Sequence, residues 1–310
     1  MEGYLRAVRG GRRIDPGLLL LLTPVLWGAS FPGTKIALRH LPVPTFMAWS
    51  RGLGFLTILA LVPLLRRIGP SSASFRTVIG PGIVLGCLMF VGYFLQTEGQ
   101  ARTSATNAGF ITGLYVVFAP ILAFALFGLR VPLAAWVAVG VSVLGLSLLS
   151  IEDLGEMRLH AGDMLVLAGA VAWAGHITAI GHLSPRYPAW MLSLGQMGVA
   201  AVLHLSVTVV IGLRPAAAVR GDVWPLLILT GVLGSGVAFT IQVIAQRAVT
   251  AARAVVLLAG EALFSAAFAA VWLGERLSLH QWGGALLVLA AMAFSELAAR
   301  RAAAGQIEPA

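Results

Sequence analysis

The sequence contains two copies of one unit, and this duplication constrains the fold more than any other feature. Adding 146 to each position of Tyr93-Phe94-Leu95-Gln96-Thr97-Glu98-Gly99-Gln100 gives Phe239-Thr240-Ile241-Gln242-Val243-Ile244-Ala245-Gln246, which keeps the aromatic residue and both glutamines in register. The same offset, without a gap, maps Trp27 onto Trp173, Pro42 onto Pro188, Ala108 onto Ala254, Gly128 onto Gly274 and Trp136 onto Trp282. Matches at one offset over so long a stretch indicate an internal duplication.

The composition is that of a membrane protein. Hydrophobic residues make up 59% of the chain and charged residues 11%, against roughly 25% charged residues in a soluble domain. The net charge of +9 comes from arginines between apolar runs, which indicates topology signals and predicts no nucleic-acid partner. Cys87 is the single cysteine, so neither an internal disulfide nor a thiolate metal cluster can form, and we predict no metal and no cofactor.

Each copy holds five apolar segments, each with roughly the 20 residues that a helix needs to cross a bilayer. We place the first repeat at 17–151 and the second at 163–297, with tails at 1–16 and 298–310. The segments cover 17–37, 43–65, 77–97, 103–128, 131–151, 163–184, 187–213, 223–246, 252–274 and 277–297. The basic start before Leu18 imitates a signal peptide, but Trp27 recurs in mid-chain as Trp173, which favours a retained helix.

Arginines in the loops predict the orientation. With Lys35 and Arg51 left aside, because both fall inside segments, one side holds thirteen basic residues and the other six. The thirteen are Arg6, Arg9, Arg12, Arg13, Arg66, Arg67, Arg76, Arg130, Arg186, Arg247, Arg253, Arg300 and Arg301, and the six are Arg39, Arg102, Arg158, Arg214, Arg220 and Arg276. Both termini are therefore predicted to be cytoplasmic, in a multi-pass protein of a bacterial inner membrane.

Five helices per repeat is an odd number, so the second repeat must enter the membrane from the opposite face. The sequence thus predicts an all-α integral membrane protein with ten transmembrane helices in two inverted five-helix repeats. The acidic connector 152–158 joins the repeats as a solvated linker. Two inverted halves can exchange conformations and open a central site to either side in turn, which makes alternating access the favoured mechanism.

A set of short motifs carries a resemblance to a known family. They are Trp27-Gly28, Phe31, Lys35, Pro42, Arg51, Thr103-Ser104-Ala105, Pro120, Gly274-Glu275-Arg276-Leu277 and Trp282-Gly283. In this order, over residues 17–297, the chain resembles the EamA-type branch of the drug/metabolite transporter superfamily. The resemblance implies a carrier of small metabolites or amino acids, often an exporter, with a cavity lined by the third, fourth, eighth and ninth helices. Ala262 departs from the family pattern, because many members have proline there.

Glu261 is the only acid deep inside a predicted helix. A carboxylate at that depth is costly unless it is neutral, paired or facing a wet cavity. It is therefore our candidate for proton coupling, with a structural hydrogen bond as the alternative. Its repeat equivalent is Tyr115, an aromatic residue with a polar tip that could serve the same cavity.

Other polar residues in the apolar segments are candidates for substrate binding. They are Trp27, Tyr93, Gln96, Asn107, Tyr115, His176 and Gln242. The glutamines offer amide donors and acceptors without fixed charge, and the alternative role is to hold helices together. Lys35 is predicted to reach the headgroups and Arg51 to act as a structural clamp, with a helix-end carbonyl or Glu98 as its partner.

The residues favour a secondary carrier over three other classes. No Gly-rich phosphate loop ending in Gly-Lys-Ser/Thr supports an ATP-driven pump. A membrane-embedded enzyme would need clustered acids, a metal site or a Ser/His pair, and a channel would favour a charged ring or filter loop. We therefore predict no enzyme activity, with a small-molecule substrate and the lipid bilayer as partners. Two questions stay open: whether protons are the coupling ion, and whether the protein is a monomer or a homodimer.

Overall fold

The computed structural model describes residues 15–66, 75–129, 131–150, 161–213 and 219–304, and within these ranges the chain is helical with no strand. The predicted fold class is confirmed. The membrane-crossing helices are α1 (Pro16–Ala37), α2 (Val43–Leu65), α3 (Phe75–Gln100), α4 (Ala105–Phe127), α5 (Leu133–Ser150), α6 (Ala161–Leu183), α7 (Ala189–Val210), α8 (Gly221–Ala245), α9 (Ala251–Leu273) and α10 (Leu279–Ala304). The α5 helix is the shortest of them, with an apolar stretch at Leu133–Leu148.

Several predictions lie outside the described residues. They concern the connector 152–158, most of the two tails, and the arginines Arg6, Arg9, Arg12, Arg13, Arg67, Arg130, Arg158 and Arg214. Below, the membrane face at which α1 ends is called the Ala37 face, and the face at which α1 begins is called the Pro16 face.

The helices pack in pairs that obey the duplication. The α3–α6 contact is matched by α8–α1, α3–α7 by α8–α2, and α4–α6 by α9–α1, while α5 packs on α10. Each of these pairs joins the first repeat to the second, so the halves interdigitate around one pseudo-two-fold axis. Large apolar side chains such as Leu133, Val202 and Leu286 are exposed on the outside of the bundle, where lipid covers them.

Equivalent helices begin and end in the same way. Ser104 and Thr250 stand before α4 and α9, and each side-chain oxygen accepts a hydrogen bond from the backbone N–H three residues later. Gly128 and Gly274 follow the same two helices with φ of 64° and 73°, a left-handed conformation that glycine adopts without strain. The identical caps explain why both copies keep these residue types at an offset of 146.

Both α4 and α9 are interrupted near the middle of the membrane. The α4 helix breaks at Leu114 and α9 breaks at Ala259, so each interruption lies next to a polar residue, Tyr115 in one copy and Glu261 in the other. The break in α9 occurs although no proline follows Glu261, where the chain has Ala262. The Ala262 N–H donates a hydrogen bond of 3.2 Å to the Ala259 carbonyl, three residues earlier. This bond is of the 3₁₀ type and tightens the turn there.

The two repeats differ most in α8, where Ile228–Val237 is a π-helix. The equivalent stretch of α3, residues 82–91, is an ordinary α-helix. The wider turns leave backbone carbonyls for side chains to bond: Ser235 Oγ donates to the Thr230 carbonyl at 2.6 Å, and Trp27 Nε1 donates to the Gly234 carbonyl at 2.9 Å. Such segments often occur at functional sites.

The α5–α10 contact depends on one glycine and provides a test of the packing. A Cβ on Gly145 would lie 2.7 Å from the Gly284 carbonyl oxygen, whereas a Cβ on Gly140 in the same helix would meet nothing within 4 Å. We expect Gly145→Ala to destabilise the protein by about 1–3 kcal/mol through overpacking, and Gly140→Ala to be neutral or stabilising. Thermal unfolding in detergent, followed by tryptophan fluorescence, measures both. Equal midpoints for the two variants would contradict this packing.

Candidate functional site

A cavity lies between the two repeats and extends from the middle of the bundle to the Ala37 face. Its empty volume is about 590 Å³, counted with its opening to solvent. Lining residues come from α1, α2, α3, α4, α6, α8 and α9. The polar ones are Ser30, Thr34, Arg51, Gln96, Thr97, Gln100, Thr112, Tyr115, Thr230 and Glu261. We call this space the central cavity.

Four aromatic rings form the floor of the central cavity. Trp27 lies 4.8 Å from Phe239, and Tyr93 lies 4.7 Å from Trp173 and 5.8 Å from Phe239, measured between ring centroids. Trp27 and Trp173 are repeat equivalents, as are Tyr93 and Phe239, so the floor lies on the pseudo-two-fold axis. The Trp173 indole donates a 2.5 Å hydrogen bond to Gln96 Oε1, which fixes both side chains at the cavity wall.

Glu261 and Tyr115, which are also repeat equivalents, face each other in the lining. The Glu261 side chain is 3% exposed, and it interacts electrostatically with the Tyr115 hydroxyl. Glu261 Oε1 and the Tyr115 hydroxyl oxygen are both buried, and neither atom has a hydrogen-bond partner. A carboxylate that is held in place but only partly satisfied can accept a proton or a donor group of a ligand.

Arg51 is the cation of the central cavity. Its guanidinium carbon lies 3.6 Å from the centroid of the Tyr93 ring, a cation–π contact. Glu98, one of its two predicted partners, forms an ion pair with Arg102 instead, at 3.1 Å and one helical turn away, so that pairing was wrong. Arg51 Nε and Nη1 have no hydrogen-bond partner, although the residue is 3% exposed. The arrangement leaves donors that an acidic group can occupy.

Lys35 stands at the edge of the site and has a different role. Its ammonium group donates to the carbonyl oxygens of Thr103 at 2.5 Å and Gln100 at 3.1 Å, which are backbone acceptors at and just beyond the end of α3. A cation at a helix C-terminus is favourable both to the unpaired carbonyls and to the helix dipole. Lys35 therefore holds α1 to α3 rather than extending to the headgroups.

Five of the predicted site residues line the central cavity, and three do not. Trp27, Tyr93, Gln96, Tyr115 and Glu261 are in the lining. His176 is buried behind the floor, where its Nε2 lies 2.9 Å from Gln196 Oε1. Gln242 is 0% exposed on the Pro16 side of the floor, and Asn107 lies in the first turn of α4, outside the lining.

Other lining residues were not among the predicted ones. Thr34, Thr97 and Thr230 supply hydroxyl groups, and nothing in the sequence separates them from threonines that bond their own helix. Trp173 and Phe239 could have been found, because they are the repeat equivalents of the predicted Trp27 and Tyr93.

The Pro16 face is closed at the positions equivalent to the cavity wall. Ile180, Leu192 and Val243 correspond to the lining residues Thr34, Phe46 and Thr97, and all three are fully buried in one apolar cluster. Nearer this face, Arg253 of α9 forms ion pairs with Glu296 of α10 and with Asp15, which caps α1. The two faces therefore differ although the two repeats are alike.

Comparisons with known proteins agree with this architecture. Residues 16–151 and 160–296 each match the EamA-like transporter family. The chain is 30% identical over 283 residues to an uncharacterized transporter of Archaeoglobus fulgidus. The aligned residues cover 91% of this chain and 86% of that protein. A crystal structure described only as that of a protein superimposes with a TM-score of 0.72 at 19% identity, over 92% of this chain and 98% of the other, and supports the fold alone.

The contrast between Arg51 and Lys35 can be tested by replacing each with methionine, the residue at the repeat equivalent of Arg51, Met197. Lys35→Met removes hydrogen bonds to buried carbonyls, and we expect it to cost about 1–3 kcal/mol of stability. Arg51→Met removes a buried charge whose Nε and Nη1 lack hydrogen-bond partners, together with a cation–π contact worth about 2 kcal/mol, so we expect a smaller loss of stability than for Lys35→Met. Thermal midpoints in detergent measure both. A larger loss for Arg51→Met than for Lys35→Met would make Arg51 the structural residue.

Proposed function

We propose, because the chain belongs to the EamA-like transporter family, that it is a secondary active transporter that moves a small polar metabolite by alternating access. Membership of the family makes the chain a multi-pass membrane transporter, in agreement with nine described helices that are long and apolar enough to cross a membrane and the shorter apolar α5. The substrate, the direction and the coupling below are our proposals.

One observation carries the mechanism. The bundle consists of two similar halves, yet the wall residues line a cavity in one half of the membrane and their equivalents are close-packed in the other. Thr34 and Thr97 line the central cavity, although they are only 7% and 3% exposed, while Ile180 and Val243 are 0% exposed within an apolar cluster. If residues 17–151 and 163–297 exchange conformations, the open and the packed sets exchange as well, and the floor is reached from the other face.

Small residues allow the halves to move past each other. A Cβ on Gly231 of α8 would lie 2.9 Å from the Ser50 carbonyl oxygen of α2, and a Cβ on Gly82 of α3 would lie 3.3 Å from the Gly195 Cα of α7. The two helix pairs that make these contacts, α2–α8 and α3–α7, are repeat equivalents. Close approach without interlocking side chains gives van der Waals contact and leaves few barriers to sliding.

An amino acid fits the chemistry of the central cavity. Arg51 offers free guanidinium donors to a carboxylate, and Glu261 offers an acceptor to an ammonium group. The aromatic floor between them suits the apolar part of a small molecule. Of the two directions we propose export, in line with the family resemblance. A single chain contains the whole cavity, so a monomer suffices for transport.

Glu261 is our candidate for coupling transport to the proton gradient. It is the acid of the lining, it lies near the pseudo-two-fold axis, and one of its oxygens has no hydrogen-bond partner. A carboxyl group at this position is reached from whichever face is open, so it can take up a proton on one side and release it on the other.

The neutral variant Glu261→Gln tests this function in proteoliposomes. With a mixture of radiolabelled amino acids as probe, the unmodified protein should show counterflow and should accumulate label under a pH gradient. Glu261→Gln keeps the shape but cannot titrate, so gradient-driven accumulation should fall at least tenfold while exchange at equal concentrations persists. Glu98→Gln, which removes an acid at the edge of the bundle, is the matched control and should keep both activities.

Three outcomes would overturn parts of this proposal. Full accumulation by Glu261→Gln would remove the residue from coupling, and loss of exchange as well would show that substrate binding needs its charge and not only an acceptor oxygen, which glutamine keeps. Uptake without counterflow in the unmodified protein would favour a channel over a carrier.

The proposed orientation places both termini in the cytoplasm of a bacterial cell. It depends on the excess of arginine on one side and on an even number of helices. A reporter protein fused after Ala310 should show cytoplasmic activity, and the same reporter in the connector after Leu154 should show periplasmic activity. The opposite result at both sites would invert the assignment of the Ala37 face, which we propose to be the outer one.

A further inference from the structure

Four polar side chains on the Pro16 side of the floor are buried with unsatisfied atoms. They are His176, Ser193, Gln242 and Gln246, each no more than 1% exposed. His176 Nδ1, Ser193 Oγ, both side-chain polar atoms of Gln242 and Gln246 Oε1 have no hydrogen-bond partner. A buried donor or acceptor without a partner costs about 1–3 kcal/mol, and lipid offers no water to replace it. Packing in this state does not account for four of them in one region.

The duplication relates all four to the central cavity. Subtracting 146 gives Ser30, Met47, Gln96 and Gln100, and every one of these is a lining residue. The hydrogen bonds follow the same relation: Gln100 Nε2 donates to the Phe31 carbonyl at 2.6 Å, and Gln246 Nε2 donates to the Ile177 carbonyl at 3.0 Å. The buried set thus occupies, in the second repeat, the positions that form the wall in the first.

We infer that His176, Ser193, Gln242 and Gln246 are the polar wall of a second half-site, which is closed here and opens to the Pro16 face. This inference rests on the proposed alternating access. The floor is common to both half-sites, because both members of the pairs Trp27/Trp173, Tyr93/Phe239 and Tyr115/Glu261 already line the central cavity. Only the wall is exchanged when the halves exchange conformations.

The second half-site differs from the first in charge. Met197 occupies the position equivalent to Arg51, so the wall supplies amides, a hydroxyl and an imidazole, with no arginine or lysine among these wall positions. This wall can form hydrogen bonds with polar groups of the substrate, but it has no guanidinium group to pair with a carboxylate. Ligands that depend on an acidic group are therefore held more weakly from the Pro16 face than from the Ala37 face.

Single cysteines in the Cys87→Ala background test this wall in proteoliposomes of the full chain. Ser193→Cys is matched by Ser142→Cys in α5: both serines are 0% exposed with an unpartnered Oγ, but Ser142 is not equivalent to a lining residue. With an impermeant methanethiosulfonate as probe, Ser193→Cys should react at least ten times faster than Ser142→Cys, and only from the Pro16 face. Gln242→Cys provides a second position, and Thr34→Cys should react from the Ala37 face.

The outcomes separate this inference from the proposed function. If amino-acid counterflow is present while Ser193→Cys and Gln242→Cys both react no faster than Ser142→Cys, the wall is elsewhere and the transporter proposal stands. If they react from the Pro16 face in a protein without counterflow of amino acids, the half-site stands and the substrate proposal falls. Reaction of Ser193→Cys from the Ala37 face would indicate one continuous passage and would overturn the second half-site.

Discussion

Lipid supplies no water to a polar atom inside the bundle, and this constraint organises the structure. Each buried polar group must find a partner in the protein, face a wet space, or remain unsatisfied at a cost. Gln100 and Gln246 solve the problem alike, by donating to the carbonyls of Phe31 and Ile177. Lys35 donates to backbone carbonyls at the end of α3. Arg51 and Glu261, two of the groups that find no complete solution, line the central cavity.

Much of the fold could be predicted because the constraint acts on both copies. The helix caps Ser104 and Thr250, and the left-handed glycines Gly128 and Gly274, are local solutions that any five-helix unit of this design needs. They therefore recur at one offset, and the offset with an odd helix number implies inversion.

The conformational state could not be predicted from the sequence. Gln96 and Gln242 occupy equivalent positions, and the sequence treats them alike, but one lines the central cavity and the other is fully buried. The difference arises from how the repeats are packed, with a π-helix in α8 and an α-helix in the same stretch of α3. The periodicity of apolar residues describes each repeat separately, so it cannot predict that the two repeats pack differently. The prediction of Glu98 as a partner of Arg51 was wrong because Glu98 has a closer basic neighbour in Arg102, just beyond the end of α3.

Duplication makes the backbone nearly symmetric, but the side chains have diverged where chemistry matters. Arg51 corresponds to Met197, Ser30 to His176 and Tyr115 to Glu261, whereas Gln100 and Gln246 stay the same. The conserved pair holds helices together in both halves, so either half tolerates the same residue. In the proposed alternating access, the diverged pairs would give each face its own affinity, because a charge that contacts the ligand in one state would be withdrawn in the other. By linkage, such a difference in affinity is balanced by the equilibrium between the two states, because the ligand shifts that equilibrium toward the state that binds it more tightly.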